Sequence, residues 1–204
     1  MKPQKVLLNG YKNNERKKNN MDRKGKFIQV YSGKRFWPLD PKIDEVDIDD
    51  ISHSLSKQCR FSGHTEFHYS VAQHCIHVSL FCNPAHALEG LMHDASEAYL
   101  VDFPRPVKSE FPKYFELENN IMKVISEKYK FIYPLPEDVT LADNQMLWVE
   151  KSKVMKPTLD WYQDTPVELT DEQKVIEIIR MSPPEAEDYF KSRFSFLYEN
   201  RMKG

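Results

Sequence analysis

His93 and Asp94 stand side by side, with Glu97 and Asp102 following closely. An imidazole and a carboxylate held adjacent on a rigid segment can offer N and O ligands to one divalent cation. A further carboxylate a turn later can orient or deprotonate a water molecule. The run Leu88 to Leu100, LEGLMHDASEAYL, contains good helix formers and no proline, so it predicts a helix. Residues three and four apart share a helical face. Leu88, Leu91, Met92, Ala95 and Tyr99 then form an apolar side, with Gly90, His93, Asp94 and Glu97 opposite and the small residues Gly90 and Ser96 leaving room. A His-Asp pair by itself is more often the start of a solvated face, so any claim to metal chemistry depends on the groups that converge on it.

Two neighbouring elements supply such groups. A helix over Ser70 to Phe81 has the stripe Val71, Cys75, Val78 and Phe81, with His74 inside it and His77 at its edge. Alone, His74 reads as a core histidine with one hydrogen bond. Asn83-Pro84 then breaks the chain, which makes this helix and the His93 helix antiparallel neighbours and lets His74 face His93. Pro104-Arg105-Pro106 stops the His93 helix and places Lys108 shortly after Asp102. A further helix, about Tyr114 to Tyr129, carries Leu117, Ile121, Val124 and Ile125 as core. After Pro134 and Pro136 the next helix puts Asp143 on a face with Val139, Met146 and Leu147. An aspartate on a core stripe is costly unless a charged partner or a metal receives it, which makes Asp143 the fourth ligand candidate.

Upstream, a helix from Ile51 to about Arg60 buries Ile51, Leu55 and Cys59 and ends on Arg60, just before the loop Phe61-Ser62-Gly63-His64. A guanidinium there can bind a phosphate bidentately, although an isolated arginine is ordinarily a surface residue. The acidic run Asp44 to Asp50 lacks the turn glycine and distal glutamate of a calcium loop and suits a helix N-terminus. FIQVYS and RFWPL, separated by Gly33-Lys34, predict a hairpin with a two-residue turn. Residues 1–26 form a basic, asparagine-rich stretch read as a disordered, solvated extension and not as a nucleic-acid contact, and Met21 offers a later translation start. Toward the C-terminus, Thr170 to Gln173 is a capping box ahead of Val175, Ile176 and Ile179, and Ser182 to Glu185 is another. The apolar residues Tyr189, Phe190, Phe194 and Leu197 would cover the core or an oligomer interface. Trp161 and Tyr162, in a weakly patterned connection, would rim the pocket or simply pack.

The 204 residues, 40% of them hydrophobic, suffice for one good core. The expected organisation is a tail (1–26) and a single domain (27–204), with its core over 27–150 and a helical extension over 151–204. A net charge of −2 gives no global basic field for a nucleic-acid coat. Cys59, Cys75 and Cys82 are odd in number and lack CxxC spacing, so they read as reduced thiols. With no long apolar run and a polar N-terminus, no membrane contact is expected and the location is expected to be cytoplasmic.

His74, His93-Asp94 and Asp143, each on its own helix, resemble the H…HD…D signature of the HD-domain metal-dependent phosphohydrolases. The resemblance is closer to the small bacterial and phage nucleotide phosphohydrolases, the 5′-deoxynucleotidase-like branch. It is carried by RFSGH (60–64), YSVAQH (69–74), LMHDASEAYLVDFPRPVK (91–108) and LAD (141–143), and covers roughly 27–150. It implies an all-α, HD-domain helical bundle, here with a small N-terminal β-hairpin. One divalent transition metal (Co, Mn, Zn or Fe, with Mg an option) would be held by His74, His93, Asp94 and Asp143. That metal would polarise a phosphoryl group and acidify water. Glu97 would act on that water, and Asp102 would read a sugar hydroxyl or protonate the leaving oxygen. Arg60 and Lys108 would neutralise the phosphoryl oxygens, with Phe61 and His64 also at the substrate. His53, His68, His77 and His86 are left as non-ligands. The expected activity is hydrolysis of the 5′-phosphate ester of (deoxy)nucleoside monophosphates by a homo-oligomer, a dimer or higher. The alternatives are a deoxynucleoside triphosphate hydrolase releasing triphosphate and, from a different class, a non-catalytic regulatory module that binds nucleotide or a replication protein.

Overall fold

The computed structural model describes residues 22–157 and 167–203, so most of the expected tail, together with Trp161 and Tyr162, lies outside the described residues. The described chain starts earlier than the expected domain boundary. Arg23 donates from Nε to Asp40 and from Nη1 to Glu45, both at 2.5 Å, and its guanidinium lies 4.3 Å from the Trp37 ring centroid.

The hairpin forms from β1 (Ile28–Gln29) and β2 (Arg35–Phe36), antiparallel, with Ile28 opposite Phe36 and Gln29 opposite Arg35. Its turn is not the two-residue Gly33-Lys34 expected. The Val30 amide donates to Lys34 O at 3.1 Å and the Gly33 amide to Val30 O at 2.9 Å, enclosing Tyr31, Ser32 and Gly33. Gly33 has φ +79°, the left-handed conformation that such a loop needs and that glycine adopts without a Cβ clash. The loop is tied down by Asp50, whose carboxylate accepts from the amide and hydroxyl of Ser32 at 2.6 and 2.9 Å.

Helix α1 (Ile48–Lys57) is capped by Asp47, whose side chain accepts from the Asp49 amide, and Asp49 and Asp50 fill its first turn. Asp47 to Asp50 are thus a helix N-terminus, where carboxylates meet the exposed amides, while Asp44 and Glu45 of the same run lie in a preceding 3₁₀ turn, Ile43–Glu45. Ile51 and Leu55 are buried as expected, but α1 stops at Lys57 and Cys59 is only half-buried. Gln58 and Cys59 turn extended, and a bridge between Cys59 and Ser70 pulls the chain together. Arg60 is therefore delivered by this bridge and not by a helix end. The short 3₁₀ segment Arg60–Gly63 holds Phe61 and Ser62 at φ +53°, a costly backbone for residues with a Cβ.

Helix α2 (Val71–Phe81) opens with a full capping box between Ser70 and Gln73. Helix α3 (Ala87–Met92) is shorter than the continuous Leu88–Leu100 helix predicted. The backbone leaves α-geometry at Asp94 (φ −103°, ψ 16°) and tightens into a 3₁₀ turn, Ala95–Ala98, in which the Glu97 amide donates to Asp94 O at 3.0 Å. The apolar side is unaffected, since Leu88, Leu91, Met92, Ala95 and Tyr99 are all buried. Gly90 has a different role from the one expected. A Cβ there would lie 2.5 Å from Cys82 Sγ and 3.1 Å from Ser79 Cα, so the glycine permits close approach of α3 to α2.

After α4 (Arg105–Lys108) come α5 (Pro112–Tyr129) and α6 (Glu137–Val154). The Thr170–Gln173 capping box is present, but α7 (Asp171–Val175) is only five residues long, and Val175 and Ile179 are exposed. Helix α8 (Pro183–Lys203) covers the core, as expected for Phe190 and Phe194. It packs on α1, α2 and α3 and buries Phe190 and Phe194, whereas Tyr189 faces out. Arg201 near its end forks onto the fully buried Glu89 of α3 at 2.6 and 2.8 Å.

The architecture is all-α with one small hairpin. Helix α2 packs against α3, α6 and α8, and is shared by two hydrophobic clusters, one reaching α8 and α5 and the other centred on α6. Among the described residues, no helix is long and apolar enough to cross a membrane.

Candidate metal centre

His74, at the middle of α2, is fully buried, and its Nε2 lies 3.2 Å from His93 Nε2. The outward nitrogens of both rings are occupied. His74 Nδ1 meets Glu150 Oε1 at 2.6 Å and His93 Nδ1 meets the Gly90 carbonyl at 2.8 Å. An ionised carboxylate and a carbonyl can only accept, so both Nδ1 atoms donate, and in the neutral rings the two Nε2 lone pairs face each other. Opposed lone pairs at that separation need a proton or a cation between them.

Two carboxylates complete the cluster. Asp94 Oδ2 lies 3.1 Å from His93 Nε2 and 3.7 Å from His74 Nε2; Asp143 Oδ1 lies 3.0 and 3.8 Å from His74 and His93 Nε2 respectively. One donor atom from each of His74, His93 and Asp94 falls within a 4.8 Å cluster, as metal ligation requires. Two imidazoles and two carboxylates, from α2, the turn that follows α3, and α6, suit a divalent first-row cation.

The electrostatics point the same way. Burial raises the pKa of Asp94 and Asp143, but His93 and His74 outweigh it, so Asp94 falls well below the carboxylate range and Asp143 to about 2. At Glu150, burial is likewise overcome by Arg60 and His74, and the net shift is downward. Burial, and for His74 also Arg60, lowers the histidine pKa values, yet the surrounding carboxylates raise both overall. Three ionised carboxylates face a single guanidinium, and the histidines bind protons more tightly as a result. The centre thus favours positive charge, a proton or a cation, between the two Nε2 atoms.

Arg60 reaches the same cluster. Its Nη2 donates to Glu150 Oε2 at 2.8 Å and its Nη1 is 3.9 Å from Asp94 Oδ2, while the guanidinium lies 5.3 Å from the Phe61 ring centroid. Glu97 is buried at 6% exposure, one 3₁₀ turn past Asp94. Burial first, then the charges of Asp94 and Asp102, push its pKa well above the usual carboxyl value.

Other expected site residues lie differently. Lys108 is held by Asp102 Oδ1 at 2.9 Å and Glu118 Oε1 at 2.8 Å, so its charge is already compensated. Asp102 is exposed, as is His64. His53 bonds Glu187 and His86 bonds Asp138, away from the cluster. Sequence reading missed Glu150. Its signal was available: it falls two helical turns after Asp143 on α6 and therefore on the same face.

The fold and this cluster define an all-helical protein with a His-His-Asp candidate metal centre and Asp143 beside it. No family model matches the chain. Over 176 residues it is 39% identical to the uncharacterized protein YfdR of Escherichia coli K12, spanning 86% of this chain and 97% of that one. The chain belongs to the YfdR family. It is also 34% identical over 124 residues to the uncharacterized protein RCAP_rcc00048 of Rhodobacter capsulatus, covering 56% of this chain and 63% of that one.

Proposed function

We propose that this protein is a metal-dependent phosphohydrolase of the HD-domain type that cleaves the 5′-phosphate ester of (deoxy)nucleoside monophosphates. The observation that carries the reading is the convergence of the His74 and His93 Nε2 atoms with Asp94 and Asp143, beside the Arg60 guanidinium. A divalent cation held by those four residues would supply Lewis-acid polarisation of a phosphoryl oxygen and a more acidic water. Glu97, buried one turn from Asp94, would take the proton of the attacking water. Arg60 holds a phosphoryl oxygen and offsets the charge that develops on it. Asp102, exposed and fixed by Lys108, accepts a hydrogen bond from a sugar hydroxyl.

Because Arg60 lies 3.9 Å from Asp94 of the cluster while Lys108 is engaged by Asp102 and Glu118, the phosphate clamp rests on Arg60, which suits one reacting phosphate better than a chain of three. The test is to incubate manganese- or cobalt-loaded protein with nucleoside mono-, di- and triphosphates and identify the products. Nucleoside and inorganic phosphate from monophosphates are expected. Inorganic triphosphate released from triphosphates would replace this reading with the triphosphohydrolase, and binding without turnover of any substrate would leave a regulatory module.

A further inference from the structure

Glu150 is fully buried on α6, and each of its oxygens is committed to a different part of the candidate site. Oε1 accepts from His74 Nδ1 at 2.6 Å and Oε2 from Arg60 Nη2 at 2.8 Å. A buried carboxylate is expensive, and a buried ion pair taken as a whole is often replaceable by apolar side chains of similar volume at no loss of stability, so such a pair is weak evidence for a role in stability alone. Its placement here has two geometric consequences. The bond to Nδ1 selects the His74 tautomer whose Nε2 lone pair faces His93, Asp94 and Asp143. The bond to Nη2 turns the guanidinium so that Nη1 points toward Asp94, and leaves Arg60 Nε buried without a hydrogen-bond partner. The Tyr69 hydroxyl, buried beside the same carboxylate, is pushed well above its usual pKa by burial and then by the Glu150 charge.

We infer that Glu150 is a positioning residue that builds the cation site and the phosphate site as one unit, fixing His74 for the cation through one oxygen and aiming Arg60 through the other. This rests on the metal centre of the proposed function but not on its reaction. Partners of this kind, behind a metal-ligating histidine, typically affect metal affinity about 10- to 100-fold.

The test is calorimetric titration of the metal-free full chain with Mn²⁺ alone. Glu150→Gln, close in shape but uncharged, should keep the wild-type circular dichroism and one site per chain while weakening Mn²⁺ about 10- to 100-fold. Inorganic phosphate should also bind the Mn²⁺-loaded variant more weakly than the loaded wild type. A folded Glu150→Gln protein that binds Mn²⁺ and phosphate like the wild type would overturn the assignment. Nitrogen-15 NMR of the Zn²⁺-loaded wild type needs no variant: His74 should be metal-bound at Nε2 and protonated at Nδ1, and ligation through Nδ1 would overturn the assignment even if Glu150→Gln does not fold. If the wild type binds no Mn²⁺, Co²⁺ or Zn²⁺, this inference and the proposed function fall together. If it binds metal as described but hydrolyses no nucleotide, only the reaction falls.

Discussion

His74 Nε2 and His93 Nε2 face each other at 3.2 Å, with both Nδ1 atoms already donating, to Glu150 and to the Gly90 carbonyl. The two rings come from α2 and from the C-cap of α3, and Asp143 joins them from α6. Ligation would therefore fasten three helices at once. Metal added at about 100 times its Kd should stabilise the protein by about 2.7 kcal/mol. Each of His74→Ala, His93→Ala, Asp94→Ala and Asp143→Ala should lower metal content and abolish that gain in Tm. Metal analysis and calorimetry of the four proteins check this, and full occupancy in Asp143→Ala would remove it from the ligand set.

Glu97 makes no contact within the ligand cluster through its side chain in any observed hydrogen bond or ion pair, yet it is buried one turn from Asp94. Glu97→Ala should keep metal content and KM close to wild type while kcat falls by about 10²-fold or more. Steady-state kinetics with a monophosphate decide the matter, and an unchanged kcat would take Glu97 out of the mechanism.

Arg60 and Lys108 no longer stand as equals. Arg60 sits 3.9 Å from Asp94, while Lys108 is engaged by Asp102 and Glu118. Arg60→Ala should cost about 2–4 kcal/mol in kcat/KM for a monophosphate, in the range of a lost transition-state donor. Lys108→Ala should cost less than a tenth of that factor in rate. Equal losses in the two variants would restore Lys108 to the clamp.

Gly90 lies where α3 touches α2, and its carbonyl also orients His93. In Gly90→Ala the new methyl meets Cys82 Sγ and the Ser79 backbone, an overpacking expected to cost about 1–3 kcal/mol. Denaturant unfolding should show that loss, with metal affinity falling alongside it. Adding Cys82→Ala should recover part of the stability, because it removes the closer of the two clashes. A Gly90→Ala protein as stable as the wild type would show that the helices separate freely here.

The Arg201–Glu89 fork joins the last turn of α8 to α3. Arg201→Met strands a fully buried carboxylate and should cost about 3–5 kcal/mol. Glu89→Gln placed on top should restore much of it, since a neutral amide is cheaper to bury. Urea unfolding of the single and double variants measures both effects, and additive losses would contradict the pairing.

Local rules were enough to make several features legible without coordinates. Asp47 to Asp50 read as a helix start because carboxylates suit exposed amides, and the apolar stripes of α2 and α5 followed from a 3.6-residue period. His74 and Asp143 stood out because each is a polar residue on a core stripe. That signal survives in one dimension, since the cost of burying a polar group does not depend on knowing its partner. Other features depend on partners distant in sequence. Nothing local to Gln58 and Cys59 reveals that pairing with Ser70 ends α1 early and turns Arg60 inward. The break at Asp94 replaces a helix that composition favours, because the tertiary packing of Leu88 to Tyr99 is satisfied equally well by a tighter turn. Gly90 looked like room for a ligand and is room for α2, a distinction that only the distance between two helices can make. Of the two expected roles for the α8 face, covering the core or an oligomer interface, Phe190 and Phe194 take the first, a choice settled by docking and not by periodicity. Glu150 shows the same limit. Its place on the Asp143 face was readable, but its assignment to His74 and Arg60 at once required three separate segments to be brought within hydrogen-bond distance.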